Sequence, residues 1–169
     1  MDYMKYRDCL SFILFMLFCV SAGFADSESD NSDLWICPSG DAAFYSLSGV
    51  SYGGGLAVGF GKGTSVGMKA AWFFNFDDGI SVLELNFLLR FYFFGKKACS
   101  GPFMQFTGGP ALFFSNEIGV SVPSKIGVFS IGVGCGWRFL IKEKWIIEPY
   151  IRGGYPYLAG AGLSAGIRF

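Results

Sequence analysis

Residues 80–94 read ISVLELNFLLRFYFF, and this stretch limits the fold more than any other. Taken at every second position, it separates into two sets. One holds Leu83, Leu85, Phe87, Leu89, Phe91 and Phe93, all large and apolar. The other holds Glu84, Asn86 and Arg90 among Val82, Leu88 and Tyr92. A period of two is a strand signature, because successive side chains leave opposite faces of a pleated ribbon. A transmembrane helix would need about 18 or more consecutive apolar residues, and Glu84 and Arg90 break the run too early. The Leu and Phe set forms a wall with nothing polar to show water, so the strand is read with that wall against lipid.

Composition points the same way. Of 169 residues, enough for one domain, 52% are hydrophobic, 19% aromatic and only 15% charged, with 25 glycines. A soluble domain carries about 25% charged residues. After the N-terminus the chain nevertheless has no second apolar run of helical length. A membrane β-barrel satisfies both facts, because lipid covers its outside while no single strand looks extremely hydrophobic. The formal net charge is zero, which gives no footprint for nucleic acid and no polybasic membrane patch. Histidine is absent from the sequence, which removes the commonest general base and metal ligand.

Residues 1–25 read as a targeting segment. Lys5 and Arg7 precede an apolar run over residues 10–20, and Ser21-Ala22-Gly23-Phe24-Ala25 follows. That order of charge, apolar core and small residues is a secretory signal peptide with cleavage after Ala25. An uncleaved anchor helix is the competing reading. Cys19 raises a lipoprotein signal, but bulky Phe18 stands where such signals need a small residue. Residues 26–41, DSESDNSDLWICPSGD, are acidic and without period. They are expected to form a flexible periplasmic tail, because they bury too little apolar area to offset the entropy of ordering. Leu34-Trp35-Ile36 is an apolar island that could dock against a barrel mouth.

Strands are expected over residues 42–50, 52–60, 64–76, 80–94, 101–114, 125–141, 145–155 and 159–169. Between them lie turn signals: Gly61-Lys62-Gly63, Asp77-Asp78-Gly79, residues 95–100 (GKKACS), the polar loop 115–124, Lys142-Glu143-Lys144 and Pro156-Tyr157-Leu158. Eight strands form an antiparallel up-and-down transmembrane β-barrel over residues 42–169, with both termini on one side. The terminal-side turns are short and contain Lys, while the opposite side has the long 115–124 loop. Short periplasmic turns and longer external loops are the asymmetry of such barrels.

With the bulky face assigned to lipid, Lys69, Glu84, Arg90, Arg138, Glu148, Arg152 and Arg168 fall inside with Gln105, Thr107 and Ser164. An eight-stranded barrel is only wide enough to be filled by side chains. Five cations and two carboxylates should therefore form a packed polar network, structural in role, with inward glycines making room for the arginines. A conducting or substrate-binding lumen is the alternative. Trp72, Phe74, Phe113, Phe114 and Tyr155 should form an outer aromatic girdle, and Trp137, Phe139, Trp145 and Phe93 an inner one. A soluble lipocalin-like barrel would turn the apolar face inward and show water a surface of Gly, Ala and Ser with few charges, which is poor for solubility.

The chain ends Gly162-Leu163-Ser164-Ala165-Gly166-Ile167-Arg168-Phe169. This resembles the closing strand of bacterial outer-membrane barrels, which alternate and end in Phe. The resemblance implies that Leu163, Ala165, Ile167 and Phe169 form the signal read by the barrel-assembly machinery. Over residues 42–169 the chain is similar to the small eight-stranded group that includes OmpW, OmpX and the OmpA transmembrane domain. It implies a protein of the bacterial cell outer membrane with the bilayer as its surroundings, and, for an OmpW-like member, passage of small hydrophobic solutes.

The mature chain contains Cys37, Cys99 and Cys135. Cys37 and Cys99 both fall on the periplasmic side, an oxidising compartment, so a disulfide between them is expected as one outcome. Three scattered cysteines without histidine make no metal site. The glycines of residues 53–63 lack the Lys-Ser/Thr or the strand–helix setting of a nucleotide loop. No cofactor and no catalysis are expected. Three functions stay open: a structural or interaction barrel with a plugged lumen, a narrow or lateral-opening conduit for small hydrophobic solutes, and a rim enzyme acting on lipids.

Overall fold

The alternation in the sequence is carried out by the backbone. A computed structural model describes residues 34–77, 79–93, 100–115 and 125–169. Among them are eight strands: β1 (Leu34–Tyr45), β2 (Gly49–Lys62), β3 (Thr64–Phe74), β4 (Ile80–Tyr92), β5 (Gly101–Ser115), β6 (Lys125–Ile141), β7 (Trp145–Tyr155) and β8 (Tyr157–Arg168). Each pairs antiparallel with the next, and β8 returns to β1 to close the barrel. At the closing end the Phe169 amide donates to the Leu34 carbonyl at 2.7 Å. β2, β4 and β6 finish at this terminal end; β1, β3, β5 and β7 finish at the other. Closure removes the sheet edges, so every strand's backbone has neighbours on both sides.

The first strand corrects the sequence reading. Residues 34–41, expected in a flexible tail, are the first two-thirds of β1, and the strand expected at 42–50 is divided between the end of β1 and the start of β2. The period of two is present here but disguised. Trp35, Cys37, Asp41, Ala43 and Tyr45 are buried, while Leu34, Pro38, Gly40 and Phe44 are exposed. Pro38 has no amide to donate to a ladder. It keeps its register with Leu56 of β2, and the ladder to β8 has a gap at Cys37 and Pro38. Pro110 and Pro149 do the same, each beside a gap in the β4–β5 and β6–β7 ladders respectively. The expected signal peptide and residues 26–33 lie outside the described residues.

The two faces are sharply different. Exposed hydrophobics such as Leu56, Met68, Leu85, Phe106, Ile131 and Leu163 coat the outside. Among the described residues, the exposed charges Lys62, Asp77, Lys142, Glu143 and Lys144 sit at strand ends and turns. Trp72 stacks on Phe114 at a centroid distance of 5.7 Å near the loop end, and Trp137 on Phe139 at 6.1 Å toward the terminal end. Phe113 does not join the outer girdle. It follows Ala111 on the inward face and packs edge-on against Tyr45 at 5.9 Å. Inside, an apolar cluster that includes Tyr45, Phe73, Val82, Phe113 and Tyr157 fills the loop end. Trp35, Cys37, Ala57, Leu88 and Ile146, with Tyr92, Phe103 and Tyr150, occupy the terminal half.

Candidate functional site

The polar groups of the interior come from seven strands and meet because each lies on the inward parity of its own strand. Lys69, Glu84, Arg90, Arg138, Glu148 and Arg152 are all buried, 7% exposed or less. Arg152 of β7 donates to Glu84 of β4 at 2.6 Å, and Tyr45 of β1 donates to the other oxygen of Glu84 at 2.6 Å. Asn86 adds a third bond to Glu84 at 3.1 Å. Glu148 of β7 is held by two cations: Arg90 reaches both its oxygens at 3.1 and 3.0 Å, and Arg138 pairs with it through Nε. Gln105 accepts a further bond from Arg90 at 3.1 Å, and Thr107 bonds Tyr157 at 2.9 Å. Ser164 is buried and faces Glu148 across the β7–β8 register. Arg168 is half-buried at the end of β8, opposite Trp35 in the register.

Lys69 is matched by a residue the sequence reading placed in the tail. Asp41 of β1 accepts from Lys69 at 2.9 and 2.8 Å, from Ser39 at 2.7 Å and also from Tyr150. Lys69 donates to the Tyr150 hydroxyl as well, at 2.6 Å. Asp41 therefore raises the buried carboxylates to three, against the four buried cations Lys69, Arg90, Arg138 and Arg152. The parity of Trp35, Cys37, Ser39 and Asp41 was the signal that could have revealed it.

Aromatic rings complete the surroundings of the cations. The Arg138 guanidinium lies 4.6 Å from the Trp35 ring centroid and 5.2 Å from that of Tyr92. Arg90 lies 4.8 Å from Trp35, and Arg152 lies 4.1 Å from Tyr157. Such desolvated contacts offset part of the cost of burying a guanidinium. The inward glycines serve these rings more than the arginines. A Cβ on Gly59 would overlap the Trp35 ring, and one on Gly132 would overlap the Tyr157 hydroxyl.

The cavity among the central polar groups is small. A central cavity between Lys69, Asn86, Arg90, Thr107 and Arg152 has a volume of about 10 Å³. That is room for about one water. Among the described residues no group of three or more His, Cys, Asp or Glu side chains is placed to hold a metal ion. Cys37 is buried and faces the lumen, and Cys135 is exposed on the outer wall. Cys99, the expected partner of Cys37, lies outside the described residues, so that pairing is left as an expectation.

A closed eight-stranded antiparallel barrel has counterparts among solved structures. The N-terminal β-barrel domain of Pseudomonas aeruginosa OprF matches with a TM-score of 0.57 at 16% identity, covering 82% of this chain and 100% of that one. The chain has the fold of a bacterial outer-membrane β-barrel. Neisserial surface protein A matches with a TM-score of 0.54 at 15% identity, over 83% of this chain and 98% of that one. The outer membrane protein OprG of Pseudomonas aeruginosa matches at 0.52 and 11% identity, over 82% and 96%. No protein-family model matches the sequence, and no curated protein matches it. The likeness between these outer-membrane-type barrels is therefore one of fold, built from different side chains.

Proposed function

We propose that this protein is an integral β-barrel of the bacterial outer membrane that acts as a structural or interaction protein, with its lumen sealed by its own side chains. The observation that carries the reading is the interior: its charges are engaged in pairs, and the central cavity is about 10 Å³. An ion entering would have to separate carboxylates from arginines held in a medium of low dielectric, which is costly. Lys69, Glu84, Arg90, Arg138, Glu148 and Arg152 act in this reading as a structural core rather than as a pathway. The apolar exterior supports residence in lipid, and the fold supports the outer membrane as the bilayer concerned. Leu163 and Phe169, apolar and exposed at the end of the chain, supply with Ala165 and Ile167 the strand that the assembly machinery would read. The role is non-catalytic. Planar-bilayer recordings on the refolded full-length protein test it: no conductance steps are expected, and steady steps from the wild type would overturn it.

One observation favours a second reading, a lateral conduit for small hydrophobic solutes. On the lipid side of β5–β8 a groove of about 670 Å³ reaches the inward rings of Phe103 and Tyr150 beside Pro149. Accelerated entry of a hydrophobic dye into proteoliposomes, relative to empty vesicles, would support that reading over the sealed one.

A further inference from the structure

The seam where β8 meets β1 carries a feature that neither a sealed lumen nor a conduit uses. On the outside of β7, β8 and β1, at the terminal end, lies a groove of about 590 Å³. Its walls are Ile36, Pro38, Trp145, Ile147, Ala165 and Ile167. The groove follows from the ladder gap described above: β1 and β8 lose register pairs at Pro38 and Ala165, and the small side chain of Ala165 leaves the opening unfilled. Its mouth is basic. Ile141 and Trp145, which flank the Lys142-Glu143-Lys144 turn, both line the groove. Lys142 and Lys144 are exposed. The turn is fixed to the neighbouring strand, because the Arg168 amide donates to the Lys144 carbonyl at 2.8 Å.

We propose that this groove binds one anionic phospholipid, an acyl chain lying against Ile36, Ile147 and Ile167 and the phosphate held at the mouth by Lys142 and Lys144. The occupant follows from chemistry on both sides of the interface. An apolar trough open to the lipid face fits a hydrocarbon chain, and Trp145 between trough and turn is suited to the headgroup boundary. Lys142, Lys144 and Arg168, against Glu143 and the carboxylate of Phe169, which also lines the groove, leave a net positive charge that favours an anion at the depth where lipid phosphates sit. The turn lies at the end that holds both barrel termini, which the membrane reading assigns to the periplasm. The lipid is thus a phospholipid such as phosphatidylglycerol and not a lipopolysaccharide of the external leaflet. The inference rests on the membrane reading, and its test separates the two.

The full-length protein would be reconstituted in phosphatidylcholine vesicles containing either phosphatidylglycerol or phosphatidylcholine with brominated chains, at equal mole fraction and low ionic strength. Quenching of Trp145 is obtained by difference from the Trp145→Phe variant. The brominated phosphatidylglycerol should quench at a roughly fivefold lower mole fraction than the phosphatidylcholine, and added salt should narrow the difference. Lys142→Gln with Lys144→Gln should abolish the preference while leaving quenching of Trp72 unchanged. Equal quenching by the two lipids in the wild type, or a preference that survives the double substitution, overturns the proposal. So does protection of Trp145 from both lipids while Trp72 and Trp137 are quenched, because another protein surface, such as a second copy, would then cover the groove. If no lipid-facing tryptophan is quenched, the membrane reading itself fails.

Discussion

The Lys69 ammonium of β3 lies 2.8 Å from a carboxylate oxygen of Asp41 on β1, with both side chains buried and β2 between their strands. Truncating Asp41 to Ala would leave a desolvated ammonium without its counter-ion, at a cost of about 3–5 kcal/mol. The loss should appear as a lower temperature for conversion from the compact to the extended species on SDS gels, and as a lower urea midpoint in micelles. Lys69→Met in the same chain should recover much of it, since an apolar replacement of both partners is far better tolerated than half a pair. Purely additive losses in the double variant would contradict this coupling.

Glu148 is a more demanding position, because one carboxylate serves both Arg90 and Arg138. Glu148→Ala strands two buried guanidiniums, whereas Glu84→Ala strands Arg152 and frees Tyr45 and Asn86. Both variants should lose about 3–5 kcal/mol, with Glu148→Ala the worse. Equilibrium unfolding in detergent ranks them. If Glu84→Ala proves the more damaging, the Trp35 and Tyr92 rings, not Glu148, are what hold Arg138.

Much of this architecture could be read from the sequence, because in a barrel one physical variable, inward or outward, alternates along every strand. The period of two through β4 puts Glu84, Asn86 and Arg90 on one face, where all three are buried, and seven of the eight strands were placed near their observed bounds. β1 was missed for a specific reason. Its inward face mixes Trp35, Cys37, Asp41 and Tyr45, and the acidic, Ser-rich residues around it read as a tail without period. Composition therefore outweighed periodicity, and Asp41 was lost with it. The partner of each ion was not legible either. Which carboxylate meets which arginine depends on the stagger between strands far apart in sequence, such as Arg90 and Glu148 at opposite sides of β5 and β6. Phe113 shows the converse failure, where an aromatic residue near a strand end was assigned by type instead of by parity.

Gly132 of β6 and Tyr157 of β8 are locked by shape. A Cβ at position 132 would overlap the Tyr157 hydroxyl and come within 2.8 Å of Cζ. Gly132→Ala should therefore cost about 1–3 kcal/mol, the range for overpacking a filled interior. Removing the hydroxyl with Tyr157→Phe in the same chain should restore part of that loss, though the Thr107 bond goes with it. The check is a double-mutant cycle by urea unfolding. A Tyr157→Phe change that deepens the Gly132→Ala defect would show that the site relaxes in some other way.

The turn between β6 and β7 offers a gain instead of a loss. Lys142 and Glu143 have φ of 52° and 58°, and the Lys144 amide donates to the Ile141 carbonyl at 3.2 Å. That is a two-residue hairpin with both central residues left-handed, a conformation matching the twist of the flanking strands but favouring Asn and Gly. A side chain with a Cβ is disfavoured there by roughly 1–2 kcal/mol per residue. Replacing the pair with Asn-Gly should therefore stabilise the barrel by about 1–2 kcal/mol in total, because the flanking strands already impose the turn. Most of the gain should appear as faster refolding from urea into micelles if this hairpin forms early, and as slower unfolding if it forms late. The reverse control is Lys142→Val, a β-branched residue in a left-handed position, which should destabilise. If Asn-Gly lowers the urea midpoint, contacts of the Lys142 or Glu143 side chains outweigh the backbone term.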